Sequence, residues 1–504
     1  MTEEPRYHWT QSNSGFWHRD IDECEQFYQL YANEEHGCYP VTACALFQVK
    51  DESVNLDFNV QSALQNAWTL LRHKHPTLGS RIERSDQPDT WKRVYRPLDS
   101  DEDVKSWLES TFKIITTNGT ALSWFNNDAP SFHMPTVYIV KSELDAQQAV
   151  FLRCPHDITD GVGILHLLNQ LFLHASSFYG QASEFRYPLP DIDLGTRLSP
   201  CLRVAASIPN ALSEAQMQRF HDIQNTNGNI YNHTRWLNLP PTASNDSAPI
   251  MKRIAVSVSR SLSDQVLVGC KSIAPGVSLT HAFTAALTMT LRDLQPRQDQ
   301  AYTARYVGRS MINIRPYCRE PFDSPDHAAA AYHAVSAQAV GIDVKIPGVA
   351  DDGTKVDTLP ELAINVHGFY QQIKSDPSQS TYEQALFAPQ VFQTLFPPPG
   401  VDPWAFQESP FCPVSLSSIG NLGNIVGSSN GVFELSKVWA ASQPINAGEV
   451  VFLGSWDGQI ELSSVFNTQY HKQEYMERFI TNIFTHVLEG LGIDADDRAI
   501  AVVE

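Results

Sequence analysis

The sequence places a histidine, an aspartate and a glycine at 156, 160 and 161, at the end of the stretch Ala149-Val150-Phe151-Leu152-Arg153-Cys154-Pro155. An imidazole titrates near neutral pH. It can therefore take a proton from a weak nucleophile such as an alcohol while that nucleophile attacks. The spacing on its own is a weak motif, since patterns this short recur by chance and most histidines are packed or surface residues. Its setting carries more weight. Residues 149–154 read as a buried strand, and Pro155 ends it at the point where His156 is presented. Gly161 suits a tight turn or a close approach by substrate.

A helix must follow directly. Ile164, Leu165, Leu168, Leu171, Phe172, Ala175 and Phe178 share one face at helical spacing, and Gly180 stands where a C-terminal cap glycine belongs. Residues 135–140 and 149–154 form a hairpin joined through 145–148. Upstream, 22–31 reads as a helix and 41–49 as a strand. A helix capped by Asn59 runs to Leu71, with Val60, Leu64, Ala67, Trp68 and Leu71 on one stripe. His73 and His75 at its end complement the helix dipole, and no further ligands mark a metal site.

Residues 183–247 are rich in Pro, Asn, Asp, Ser and Thr and contain one helix, near 213–224. They divide the chain into a first domain, 1–182, a crossover, 183–250, and a second domain, 251–504. The second domain opens with a strand at 252–258 and a helix at 263–271 capped by Ser263. A small-residue helix from His281 follows. A strand within 305–313 leads to Asn313-Ile314-Arg315. Residues 320–410 read as irregular except for a helix near 359–374. Residues 432–439, 449–456 and 459–466 read as an antiparallel meander, with Trp456-Asp457-Gly458-Gln459 as a hairpin turn. A helix at 472–488 closes the chain. The fold class is α/β with mixed sheets.

Bulk properties exclude several partners. The chain has 504 residues, a formal net charge of −20 and 42% apolar residues. That charge argues against nucleic acid and anionic membranes. No apolar run is long enough to span a bilayer, and the N-terminus has no apolar signal core, so a cytoplasmic protein is expected. The eight cysteines show neither Cys-x-x-Cys nor zinc spacing and read as reduced thiols; no metal is expected. Walker, dinucleotide-binding, zincin and Gly-x-Ser-x-Gly signatures are all absent.

Several segments together resemble the acyltransferase superfamily that includes chloramphenicol acetyltransferase, plant BAHD acyltransferases and peptide-synthetase condensation domains. His156-Asp157-Ile158-Thr159-Asp160-Gly161 resembles its His-x-x-x-Asp-Gly motif. Leu64-Gln65-Asn66-Ala67-Trp68 through His75-Pro76-Thr77-Leu78 resembles its first helix and exit. Leu279 to Leu287 resembles the helix opening its second domain, and Asn313-Ile314-Arg315 its Asn/Asp-x-Arg. Within the superfamily the chain is most similar to fungal secondary-metabolite O-acetyltransferases, those acting on the 15-hydroxyl of trichothecenes in particular. It departs in lacking the plant Asp-Phe-Gly-Trp-Gly motif. Ser417-Ser418-Ile419-Gly420-Asn421 occupies that place.

The resemblance implies two domains with an active-site tunnel between them, and no permanently bound cofactor. Acetyl-CoA would be the co-substrate and a hydrophobic hydroxylated small molecule the acceptor, acted on by a monomer. His156 would be the general base. Asp160, the other motif residue, would form a structural salt bridge to Arg315, with Asn313 and Gly161 supporting the site. Ser417, Ser418 and Asn421 are candidate donors to the oxyanion. Lys252 and Arg253 are candidates for the CoA phosphates, though a solvated strand end is the simpler reading of them. Two alternatives stay open: a carrier-dependent condensation enzyme forming an ester or amide, and a non-catalytic binding protein of the same fold.

Overall fold

The computed structural model describes residues 5–32, 40–50, 56–85, 90–144, 147–181, 193–232, 235–243, 249–350, 355–374, 382–402, 405, 412–445, 447–494 and 500–503. Two large sheets organise it. The first has six strands in the spatial order Ser429–Asn430, Phe433–Ser442, Pro40–Val49, Gln148–Pro155, Thr136–Ser142 and Phe112–Thr117. All neighbours are antiparallel except the last pair.

Strand alternation gives this sheet two apolar faces. Val41, Ala43, Ala45, Phe47, Val150, Leu152 and Cys154 point to one side, against the helices Leu56–Lys74 and Gly161–Phe178. Ile164, Leu165, Leu168, Leu171 and Phe172 of the second helix are fully buried there, each contributing about 1.5–3 kcal/mol by burial. Cys44, Tyr138, Phe151 and Trp439 point to the other side. There they join Phe452 and Val465 of the second sheet, so the two sheets face each other across this cluster.

The second sheet has the order Val414–Asn421, Glu449–Trp456, Gln459–Asn467, Met251–Val258 and Ile500–Val503. Its core is closed by the helices Arg260–Ile273, Leu279–Asp293 and Gln473–Gly490. A short ladder of Met311–Asn313 with His333–Val335 lies beside the sheets. A four-stranded sheet built from Thr10–Gln11, Trp17–Asp20, Trp91–Tyr95 and Ser80–Arg84 completes the first half.

Several sequence expectations are corrected. The meander is not one: Phe433–Ser442 leaves the second half and pairs antiparallel with Pro40–Val49 in the first sheet. Periodicity reports which face a strand buries, not which sheet it joins. The Trp456–Gln459 turn holds as a hairpin, with Asp457 and Gly458 at φ 47° and 75°. The helix expected at 263–271 begins at Arg260, capped by the Ser259 side chain, while Ser263 is buried and its Oγ accepts from the Ile460 amide at 2.9 Å. The helix expected from Asn59 already starts at Leu56. The irregular region 320–410 contains the strand Val340–Ile346, paired with Tyr302–Gly308, besides the helix Leu359–Gln372. The joint at 145–146 lies outside the described residues, although the two strands it links do pair antiparallel.

Candidate active site

His156 leaves the strand Gln148–Pro155 on a loop fixed at both ends. At the start, the Ile158 amide donates to the Pro155 carbonyl at 3.0 Å. At the end, Asp160 caps the helix Gly161–Phe178, its Oδ1 accepting from the Val162 and Gly163 amides at 3.0 and 2.9 Å.

Asp160 faces away from an acid-relay geometry. Arg315 Nη1 donates to its Oδ1 and Oδ2 at 2.7 and 2.6 Å, and the Tyr332 amide donates to Oδ2 at 2.8 Å. Burial opposes ionisation of this carboxyl. The Arg315 charge, the nearby His333 and the hydrogen bonds outweigh it and hold the pKa down to about 2. Arg315 Nη2 also donates to the Ala330 carbonyl at 2.7 Å, which ties the histidine loop to the segment carrying His333.

A second clamp holds the other side of the loop. Arg93 Nη2 donates to the Asp157 carboxylate at 2.8 Å and to its carbonyl at 2.9 Å. Arg93 Nε meets Glu25 Oε1 at 2.7 Å, and Arg19 forks onto both Glu25 oxygens at 2.6 and 2.7 Å. Burial pushes the Glu25 pKa up, but the two guanidinium groups overcome it and bring it to about 2. Glu25 sits on the helix Glu23–Tyr31, which starts in a capping box between Asp22 and Glu25.

The same helix supplies Tyr28. Its ring is stacked on the His156 imidazole, with centroids 4.1 Å apart and planes 7° from parallel. Its hydroxyl is 2.7 Å from His333 Nε2. The rings of His333 and His156 are 5.6 Å apart. Around the imidazole the titratable groups are thus Tyr28, His333 and Asp160, with Arg315 behind Asp160. Burial pushes the His156 pKa from 6.5 down to about 3, and His333 adds to the shift. The imidazole is held neutral, the form that accepts a proton.

His156 opens onto a cavity of about 420 Å³ between the two sheets, within the range of small-molecule sites. Tyr28, Gly161, Asn313, His333, Ser417 and Ser418 also line it. Of the residues singled out from sequence, the structure brings together His156, Asp160, Gly161, Asn313, Ser417 and Ser418 around this space. Arg315 lies one layer behind, and the Asn313 Oδ1 accepts from its amide at 3.1 Å. Ser418 Oγ is 2.9 Å from Thr280 Oγ1.

Three expectations change. Asn421 is not on the cavity wall; its side chain accepts from the Gly423 amide at 2.9 Å and caps a short 3₁₀ turn. Gly161 needs no glycine conformation, and an added Cβ would meet only Ile419 Cδ1, at 3.8 Å. The tight glycine is Gly163, where a Cβ would come to 2.4 Å of the Ala328 carbonyl oxygen and of Thr159 Oγ1. Arg253 is no solvated strand end, being buried and ion-paired with Glu461. Tyr28, His333 and Arg93 were missed from sequence. The helix of Tyr28 was legible, but nothing local to it tells which histidine it covers.

No protein-family model matches the chain. It is 22% identical over 506 residues to the acetyltransferase pigO of Monascus ruber, covering 98% of this chain and 100% of that protein. It is 24% identical over 503 residues to the O-acetyltransferase pigM of the same organism, covering 97% and 88%. Among solved structures it superimposes on the TRI3 trichothecene 15-O-acetyltransferase of Fusarium sporotrichioides with a TM-score of 0.78 at 16% identity, over 97% of this chain and 99% of that one. The first condensation domain of the calcium-dependent antibiotic synthetase matches with a TM-score of 0.61 at 10% identity, over 97% and 99%. The chain therefore has the fold of the chloramphenicol-acetyltransferase and condensation-domain superfamily that its sequence motifs resemble.

Proposed function

We propose that the protein is an O-acyltransferase that moves an acetyl group from acetyl-CoA to a hydroxyl of a hydrophobic small molecule. The observation that carries this reading is a neutral His156 opening onto a cavity between the two sheets, with Ser417 and Ser418 on its wall. Similarity to two acetyltransferases along nearly the whole chain supports it. His156 Nδ1 is fully buried, so Nε2 is the nitrogen that serves a substrate. The acceptor oxygen attacks the thioester carbonyl while its proton passes to Nε2. The resulting tetrahedral oxyanion accepts hydrogen bonds from Ser417 or Ser418. It collapses by expelling the CoA thiolate, which recovers the proton from His156. No acyl-enzyme is required. General base help of this kind is worth about 10²–10⁴ in rate.

The 15-hydroxyl of a trichothecene is the acceptor to test first, on the strength of the likeness to TRI3. The test is acetyl transfer to a panel of hydroxylated trichothecenes, with product masses read for the wild type and His156→Ala. Acetylated product that disappears in the variant supports the reading; product formed equally by both sinks it. The condensation-domain likeness supports a second reading, in which the acyl donor is carried on a protein-bound pantetheine arm. Activity with a loaded carrier protein and none with acetyl-CoA would favour it.

A further inference from the structure

Seven arginines are buried among the described residues. Five meet a carboxylate: Arg19 and Arg93 on Glu25, Arg253 on Glu461, Arg292 on Asp293 and Arg315 on Asp160. Of the two that do not, Arg72 lies over the rings of Tyr95 and Trp107 and donates to the Pro76 carbonyl. The other is Arg153. Its Nη1 donates to the Pro130 carbonyl at 2.6 Å, and its guanidinium lies 4.6 Å from the Phe132 ring centroid. Its Nε has no hydrogen-bond partner. A buried charge without a counter-ion is costly. Burial here pulls the Arg153 pKa down to about 10, with only the Tyr138 phenol acting in the other direction.

Arg153 borders a cavity of about 170 Å³ whose wall also holds Phe125, Asn126, Pro130, Met251 and Arg253. Ala441 and Ser442 line both this cavity and the His156 cavity. Arg153 lies near the end of the strand Gln148–Pro155, three positions before His156 on the loop that follows, roughly 10 Å at the usual strand rise. Arg253, the other cation on this wall, is already paired with Glu461, which it shares with Lys437.

We propose that Arg153 anchors a carboxylate subsite that receives one arm of the acceptor, an apolar chain ending in a carboxylate, while the reacting hydroxyl lies at His156. A single planar guanidinium matches a carboxylate through two parallel hydrogen bonds. Phe125, Pro130 and Met251 give the apolar carbons a wall. Whole-ligand sites run to about 300–1,000 Å³, so this smaller space admits an arm and not a complete substrate. The assignment of the arm to the acceptor rests on the acetyl-transfer reading, because an acetyl group carries no carboxylate.

The test is calorimetric titration of the full chain with hexanoate, hexanol and inorganic pyrophosphate, for wild type, Arg153→Lys and Arg153→Met. Hexanoate is expected to bind the wild type, several-fold more weakly to Arg153→Lys, which keeps the charge without the fork, and about tenfold or more weakly to Arg153→Met. Hexanol and pyrophosphate are expected not to bind. Equal hexanoate binding by the wild type and the Arg153→Lys and Arg153→Met variants, no hexanoate binding by the wild type, or pyrophosphate binding in its place would overturn the assignment. If Arg153→Met fails to fold, as read by its thermal transition, the Arg153→Lys comparison still separates the outcomes. Hexanoate binding involves no acyl transfer, so this result and the acetyl-transfer assay can fail independently.

Discussion

Tyr28 lies flat on the imidazole of His156, 4.1 Å between centroids and 7° from parallel, while its hydroxyl meets His333 Nε2 at 2.7 Å. The stack fixes the plane of the ring, and the hydroxyl contact fixes the stack. Tyr28→Phe keeps the ring and loses the hydroxyl bond. It is expected to lower kcat by roughly threefold to tenfold, the scale of one hydrogen bond. Tyr28→Ala removes both and is expected to cost about 10²-fold in kcat with KM little changed. Steady-state kinetics of the two variants checks this, and equal losses would refute a role for the stack.

His333 bears on the pH profile. Burial and His333 together hold the His156 pKa near 3, so the imidazole stays neutral well below the 6.5 of a solvated histidine. The acidic limb of kcat/KM is therefore expected well below pH 6.5. His333→Asn removes one of the lowering influences and should move that limb to higher pH. A limb that does not move would show that His333 is electrostatically silent toward His156.

The two loop clamps are expected to differ in consequence. Breaking the buried Asp160–Arg315 pair from one side leaves an uncompensated charge, at about 3–5 kcal/mol. Arg315→Met should lower the thermal midpoint sharply along with activity. Arg93→Met strands Asp157 and leaves Glu25 held by Arg19. A smaller stability loss with a marked loss of kcat is expected there. Thermal unfolding and kinetics on both variants separate the cases.

Glycine at 163, and not at 161, is required by space. Gly163→Ala would drive a methyl to 2.4 Å of the Ala328 carbonyl and 2.6 Å of Arg315 Nη2. Destabilisation of about 1–3 kcal/mol is expected. Gly161→Ala finds only Ile419, at 3.8 Å, and should keep near-native stability while narrowing the cavity. A denaturation series on both variants would settle it.

Acid should destabilise the fold through its buried histidines. Burial lowers His156 to about 3 and His75, His281 and His471 to about 4. Each folded-state pKa lies below its unfolded value, so the unfolded chain binds more protons once pH falls below about 6.5. Stability is then lost progressively toward pH 4. Glu25 and Asp160, both held near 2, extend the loss below their ordinary values. Asp22, raised to about 6 by burial, and Glu449, raised by burial, act in the opposite sense. Melting temperatures measured from pH 7 to pH 4 should fall.

The legible part of the site was local. Residues 149–154 are an apolar run interrupted only by Arg153, Pro155 ends it, and helical spacing begins after Gly161, so the strand, the exit of His156 and the following helix could all be read from the sequence. Asp160 and Arg315 were paired from a motif resemblance, and the bond lengths of 2.6 and 2.7 Å give that pairing its geometry. Tyr28, His333 and Arg93 reach His156 and its loop from three separate elements through tertiary packing, which leaves no periodic trace. Asn421 misled because a short polar side chain serves a turn as readily as a substrate. Residues 340–346 alternate clearly in burial, yet the surrounding prolines and glycines hid the strand.

The placement of Phe433–Ser442 against Pro40–Val49 has a consequence for the order in which the molecule can be made. During synthesis the first sheet emerges with Pro40–Val49 as a bare edge, its backbone groups open to any passing strand. That edge stays unprotected until residue 442 has left the ribosome. The part of the His156 cavity wall contributed by Ala440, Ala441 and Ser442 arrives with it. The first half expressed alone is therefore expected to aggregate through that edge. A cut between the halves would yield two insoluble pieces that recover a working cavity only when refolded together.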